Sequence, residues 1–115
     1  MSINNSFAYN RNMQDSDIDV KINEHISEHQ LLRKSNKPFG TMDIAGKRIE
    51  ISMRVCNEII DDCASAWSLL NLKNTKSVII EVSGNQFQMN AERIELLADT
   101  LQRTKDVVLK KYRFG

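Results

Sequence analysis

At 115 residues, with 41% hydrophobic and 27% charged side chains, the chain has the size of one domain and the balance of an ordinary soluble globule. A formal net charge of +1 gives no global attraction to nucleic acid or to an anionic membrane, and no apolar run is long enough to span a bilayer. The N-terminus lacks a basic segment followed by an apolar stretch, so no secretory signal is expected and a cytoplasmic location is.

Residues 1–14 carry Asn4, Asn5, Asn10 and Asn12 among Ser, Arg and Gln, with Phe7 and Tyr9 as isolated aromatics. Without helical periodicity they are expected to form an arm, and two aromatics give such an arm a means of docking on a partner. Residues 15–38 admit two readings. Ile18, Val20 and Ile22 alternate as in a strand, whereas Ile18, Ile22 and Ile26 keep helical spacing behind a possible cap at Ser16. The helical reading is preferred and predicts a helix over most of 17–33. Pro38, the only proline, closes this segment.

Within it, His25-Ile26-Ser27-Glu28-His29 spells H-x-x-E-H, the zinc-ligand order of inverted zinc proteases. On a helix, His25 and His29 would share a face and Glu28 would stand as a general base. Such enzymes are built on far larger domains and need a further acidic ligand, for which the chain offers no strong candidate. Two solvent-facing histidines are the expectation, with neither metal nor cofactor.

Residues 39–115 hold the main organisation. Met42 to Leu70 and Ile80 to Val108 follow one plan at an offset of 38 positions: hairpin, cap, amphipathic helix. Taking Gly46-Lys47 as the first turn places Ile44 opposite Ile49 and Met42 opposite Ile51. Taking Gly84-Asn85 as the second places Val82 opposite Phe87 and Ile80 opposite Met89. All eight side chains then share one sheet face, because side chains alternate with a period of two. In the same register Asp43 faces Glu50 on the outer side. That like-charge pair calls for a neutralising neighbour, either Lys47 or Arg48, or else a basic partner or a divalent cation.

Ser52 and Asn90 stand where each hairpin meets its helix and are suited to cap it. After Ser52, Cys56, Ile59, Ile60, Cys63, Trp67 and Leu70 form an apolar stripe, with Trp67 expected in the middle of the core. After Asn90, Ile94, Leu97, Ala98, Leu101 and Val108 do the same, and Lys105, the offset counterpart of Trp67, is expected to turn its head to solvent. Helices are predicted near 53–71 and 91–111. The fold class is therefore α+β: a ββαββα pseudo-repeat, one four-stranded antiparallel sheet with two helices on one face, and an N-terminal arm or helix before it. Cys56 and Cys63, seven residues apart on one helix, have α-carbons roughly 10 Å apart, beyond disulfide reach, and act as small core residues.

The run Lys76 to Gly84 followed by a helix resembles the central strand of STAS regulatory domains. In that family the loop after the strand presents a phosphorylatable Ser or Thr at the next helix start. Here Gln88-Met89-Asn90 stands in that place, and a hairpin accounts for Phe87 and Met89, so no site is carried across.

No Gly-rich phosphate loop, nucleophile elbow or Cys-His pair at catalytic spacing is present, and an enzyme is not expected. Two functional readings remain. The first is a small regulatory or adaptor domain acting by protein–protein contact, most simply as a homodimer. Its interface would use Leu96, Val107 and Phe114, which line a second apolar ridge of the last helix. The alternative is a nucleic-acid-binding accessory protein using Lys110, Lys111, Tyr112 and Arg113, where cations meet phosphates and an aromatic ring stacks on a base. Cations at a helix C-terminus also complement the helix dipole, which favours the first reading.

Overall fold

A computed structural model describes residues 18–114, with side chains described as far as Lys111. The expected arm over 1–14 lies outside the described residues. The chain order is β1 (Ile18–Ile22), a short 3-10 helix (Glu28–Leu31), β2 (Gly40–Ile44), β3 (Lys47–Ile51), α1 (Met53–Lys73), β4 (Val78–Val82), β5 (Asn85–Met89) and α2 (Ala91–Phe114). The fold is α+β, and the ββαββα order over β2 to α2 is the one the pseudo-repeat predicts.

Two sheets stand in place of the expected four-stranded one: β1-β2-β3, all antiparallel, and the hairpin β4-β5. The helix expected over most of 17–33 is a strand followed by a single 3-10 turn. Ile18 lies opposite Ile44 and Val20 opposite Met42, so the alternating pattern of this segment prevails over its helical spacing. A strand here completes the free edge of β2, a gain that isolated helix periodicity cannot match. Beyond it, Gln30 anchors the 3-10 turn, its side-chain amide donating to the Pro38 carbonyl at 2.7 Å.

Both hairpins turn one residue earlier than the glycine-first reading predicts, which shifts the cross-strand pairing by two. The central pairs are Ala45-Gly46 and Ser83-Gly84, and all four residues have positive φ, from 48° to 83°. That is the requirement of the primed turn with glycine second, which matches the right-handed twist of the strands it joins. Ile44 therefore pairs with Lys47, Met42 with Ile49, and Ile80 with Phe87. A shift of two preserves which face each side chain occupies. Met42, Ile44, Ile49, Ile51, Ile80, Val82, Phe87 and Met89 are all buried, as the alternation predicts.

The outward charges do change partners. Asp43 lies opposite Arg48, its carboxylate 3.3 Å from the guanidinium, while Glu50 lies opposite Thr41. Asp43 and Glu50 therefore do not face each other; the like charge opposite Asp43 is Asp19 on β1, and Arg48 on its other side is the neutralising neighbour.

Both caps form as expected. The Val55 amide donates to Ser52 Oγ at 3.1 Å, and the Arg93 amide donates to Asn90 Oδ1 at 2.9 Å. The linker adds a further cap, since the Arg54 amide donates to the carbonyl of buried Ser35 at 3.2 Å. At the far end Asn74, in the left-handed conformation, stops α1. Phe39, absent from the hydrophobic periodicities, is fully buried between the linker and β2, where its amide donates to the Ile51 carbonyl at 2.8 Å.

The helices cover the buried strand face crosswise. α1 packs on β4 and β3, and α2 packs on β1 and β5. Each helix thus covers strands of both sheets. No helix among the described residues is long and apolar enough to cross a membrane.

Gly40 is required by close approach: a Cβ there would sit 2.2 Å from the Lys21 carbonyl oxygen on β1. Gly40→Ala is predicted to cost about 1–3 kcal/mol, the usual range for overpacking, by urea denaturation. A loss near zero would mean that β1 is not held against β2.

Candidate docking surface on the helix layer

α1 and α2 lie side by side and run antiparallel. Asn57 of α1 meets Lys105 of α2, and further along α1 Trp67 meets Glu95 and Ile94 near the start of α2. The buried residues of α1 are Met53, Cys56, Ile59, Cys63, Ala66 and Leu70, at spacings of three and four. Trp67 stands beside that line with Ile60, on the flank that faces α2. The apolar stripe is wider than the core: one rib meets the sheet, the other meets the neighbouring helix.

Trp67 accordingly does not fill the middle of the core. It is 37% exposed, with Ala66 at 6% in the position the sequence assigned to it. Its expected counterpart differs as well. Lys105 is half-buried, and its ammonium donates to Asn57 Oδ1 instead of standing free in solvent. Because one side of the indole stays exposed, Trp67→Ala is predicted to destabilise by less than the roughly 3–5 kcal/mol of a fully buried large-to-small change. A thermal or urea series including Leu101→Ala, fully buried on α2, checks the ranking.

Between the helices, on the side away from the sheets, Trp67 borders an open cavity of about 480 Å³. Ile60 and Ala64 of α1 and Ala98 of α2 form its walls, with Cys63 and Ile94 below. The alanines matter most, since two small side chains on facing helices leave the space that larger ones would fill. Ser68, Glu95 and the indole N–H of Trp67 are the polar groups of its described lining. A shallower depression continues along α2 past Glu92, Leu96 and Asp99, with Ile60, Glu95 and Ala98 shared between the two.

The thiols below this surface are not reactive groups. Burial pushes Cys56 up to about 12, against a smaller opposing pull from Lys105. Burial pushes Cys63 up to about 11, with the Asp62 carboxylate adding to the effect. Both are free and buried. Asp62 itself is raised by partial burial and then by neighbouring Glu58 and Asp61. The folded state holds both thiol protons more tightly than the unfolded chain, whose thiols titrate near 9. Their contribution to stability is therefore complete below pH 9 and lost as pH rises through about 11 to 12. A Cys56→Ala, Cys63→Ala variant should be less stable at pH 7 yet show a shallower decline above pH 9 in urea titrations. An unchanged alkaline slope would show that other groups govern it.

The residues singled out from sequence scatter over three places. His25 and His29 are exposed, His25 before the 3-10 turn and Glu28-His29 on it, so the helical face that H-x-x-E-H requires does not form. No group of three or more His, Cys, Asp or Glu able to hold a metal occurs among the described residues. Leu96 is half-buried and Val107 is 51% exposed on the outer side of α2, while the Phe114 side chain lies outside the described residues. Lys110 and Lys111 are exposed near the end of α2, and the side chains of Tyr112 and Arg113 also lie outside the described residues.

The interhelical cavity is absent from the sequence reading. Its signal was present in the stripe of α1, where Ile60 and Trp67 sit four plus three residues apart with Ala64 between them, on a flank of their own. No protein-family model, curated protein or solved structure matches the chain, and the STAS resemblance ends at a β4-β5 hairpin that turns directly into α2.

Proposed function

We propose that this protein is a small non-enzymatic adaptor or regulatory domain that works by protein–protein contact and self-associates through the outer ridge of α2. The single observation carrying this reading is the alignment of Leu96 and Val107. They are eleven residues apart, about three helical turns, so they share one side of α2, and Val107 is half exposed there. The charge on that helix is divided end from end. Glu92, Glu95 and Asp99 outnumber Arg93 in its first half, and Arg103, Lys105, Lys110, Lys111 and Arg113 outnumber Asp106 in its second.

An antiparallel pairing of two copies across this ridge sets Leu96 opposite Val107 of the second copy. The same register sets Glu92 opposite Lys111 of the second copy. Each contact occurs twice about one twofold axis, which closes the assembly as a dimer. Exposed ion pairs of this kind contribute little energy but choose the orientation.

Sedimentation equilibrium tests the proposal. The full chain is expected to show a monomer–dimer equilibrium, and Val107→Asp to weaken it at least tenfold without loss of helix by circular dichroism. Glu92→Lys should weaken it too, and adding Lys111→Glu should restore it. A wild-type monomer at millimolar concentration overturns self-association.

A second reading rests on exposed Lys110 and Lys111, adjacent at the end of α2. A nucleic-acid accessory role predicts that DNA or RNA binds with an affinity falling steeply with salt, and that Lys110→Ala, Lys111→Ala reduces the slope.

A further inference from the structure

The cavity between α1 and α2 has neither Leu96 nor Val107 in its walls, although the depression continuing from it borders Leu96, and what it could receive is written in those walls. It is open along the helix pair, bounded by Ile60, Ala64 and Trp67 on α1 and by Ala98 on α2. At about 480 Å³ it falls within the range of small-molecule pockets, roughly 300–1,000 Å³. Few groups there can orient a small molecule, the polar ones among its lining residues being Ser68, Glu95 and the indole N–H of Trp67. A straight, open trough between two antiparallel helices instead matches the apolar edge of a third helix. Small residues on both walls permit that close approach.

Charge says more about the occupant. No Lys or Arg lines the cavity or the depression that continues from it, whereas Glu92, Glu95 and Asp99 do. The positive end of the helix dipole accounts for an acid in the first turn, such as Glu92, but the effect fades within that turn. Glu95 and Asp99 lie beyond it, one turn apart, along the groove side of α2. Asp99 is 3.0 Å from Arg103, and Glu95 forms no ion pair among the described residues. The α1 wall at this level is uncharged, being Ala64, Trp67 and Ser68. The field along the trough is thus one-sided and negative.

We propose that this groove binds an amphipathic helix of a partner protein, one with leucine-like side chains on its inner edge and lysines or arginines at i and i+4 along one flank. The apolar edge fills the space between Ala64, Ala98 and Trp67. The cations face Glu95 and Asp99, replacing or sharing the Arg103 contact. Self-association through Leu96 and Val107 is not required for this binding.

Trp67 is the only tryptophan of the chain, so its emission reports directly on the groove. The probes are two synthetic 18-residue helical peptides of Leu and Ala, identical but for lysines or glutamates at i and i+4 on one flank. They are titrated against the full wild-type chain and against Val107→Asp. The lysine peptide is expected to shift Trp67 emission to the blue in both proteins and to bind at least tenfold more tightly than the glutamate peptide at low salt. Glu95→Lys should reduce its affinity about tenfold. Ala64→Lys should do the same by obstruction, because Ala64 is exposed and lysine is a good helix former. Circular dichroism confirms that both variants fold.

Equal binding of the two peptides, no binding of either, or undiminished binding to Ala64→Lys each overturns the proposal. If Trp67 emission shifts with protein concentration alone and Ala64→Lys abolishes the shift, the occupant is a second copy, and the foreign helix is overturned. Failure of self-association shows only in sedimentation and leaves the peptide result standing.

Discussion

Burial of eight alternating strand side chains, Met42 through Met89, beneath two helices is the contact on which the remaining structure depends. Each hairpin alone would expose its apolar face, and a two-stranded unit has little stability in water. Covering that face requires helices that start at a defined place, which Ser52 and Asn90 supply at the end of each hairpin. It also requires the strands to keep their facing. The primed turns at Ala45-Gly46 and Ser83-Gly84 do so at the cost of holding Ala45 and Ser83 in the left-handed region. The same burial fixes the helix pair, and the helix pair in turn creates the surface proposed to bind partners.

Facing was legible in the sequence where register was not. A glycine-first and a glycine-second turn differ by two residues in cross-strand pairing, and a period-two pattern is blind to that shift. The pattern therefore identified the buried side chains correctly while mispairing Asp43 and Glu50. For β1, local spacing supported helix and strand alike, and only the unpaired edge of β2, a feature of tertiary structure, decided between them. Trp67 shows a related limit. Helical periodicity gives the direction of a stripe but not which of its two ribs meets the sheet, so the largest side chain was assigned to the rib that Ala66 occupies.

A polar gap stands where the two sheets would have to join. Between β3 and the β4-β5 turn lies a polar gap of about 300 Å³, lined by Arg48 and Glu50 on one side and Ser83 and Asn85 on the other. Asn36 and Pro38 of the linker line the same gap. The linker that caps α1 through the Ser35 carbonyl thus reaches the place where the hairpins would have to join, and Pro38 brings no amide donor to bridge them. Where the repeat alone leads one to expect a pairing, a segment outside the repeat lies instead.

The crosswise packing of the helices bears on how such a chain can exist at all. α1 rests partly on β4, and α2 reaches back to β1. A fragment holding only the first hairpin unit would expose the side of α1 that β4 covers, and the second unit would miss the strand beneath α2. Neither half is a self-sufficient ancestor in its present form.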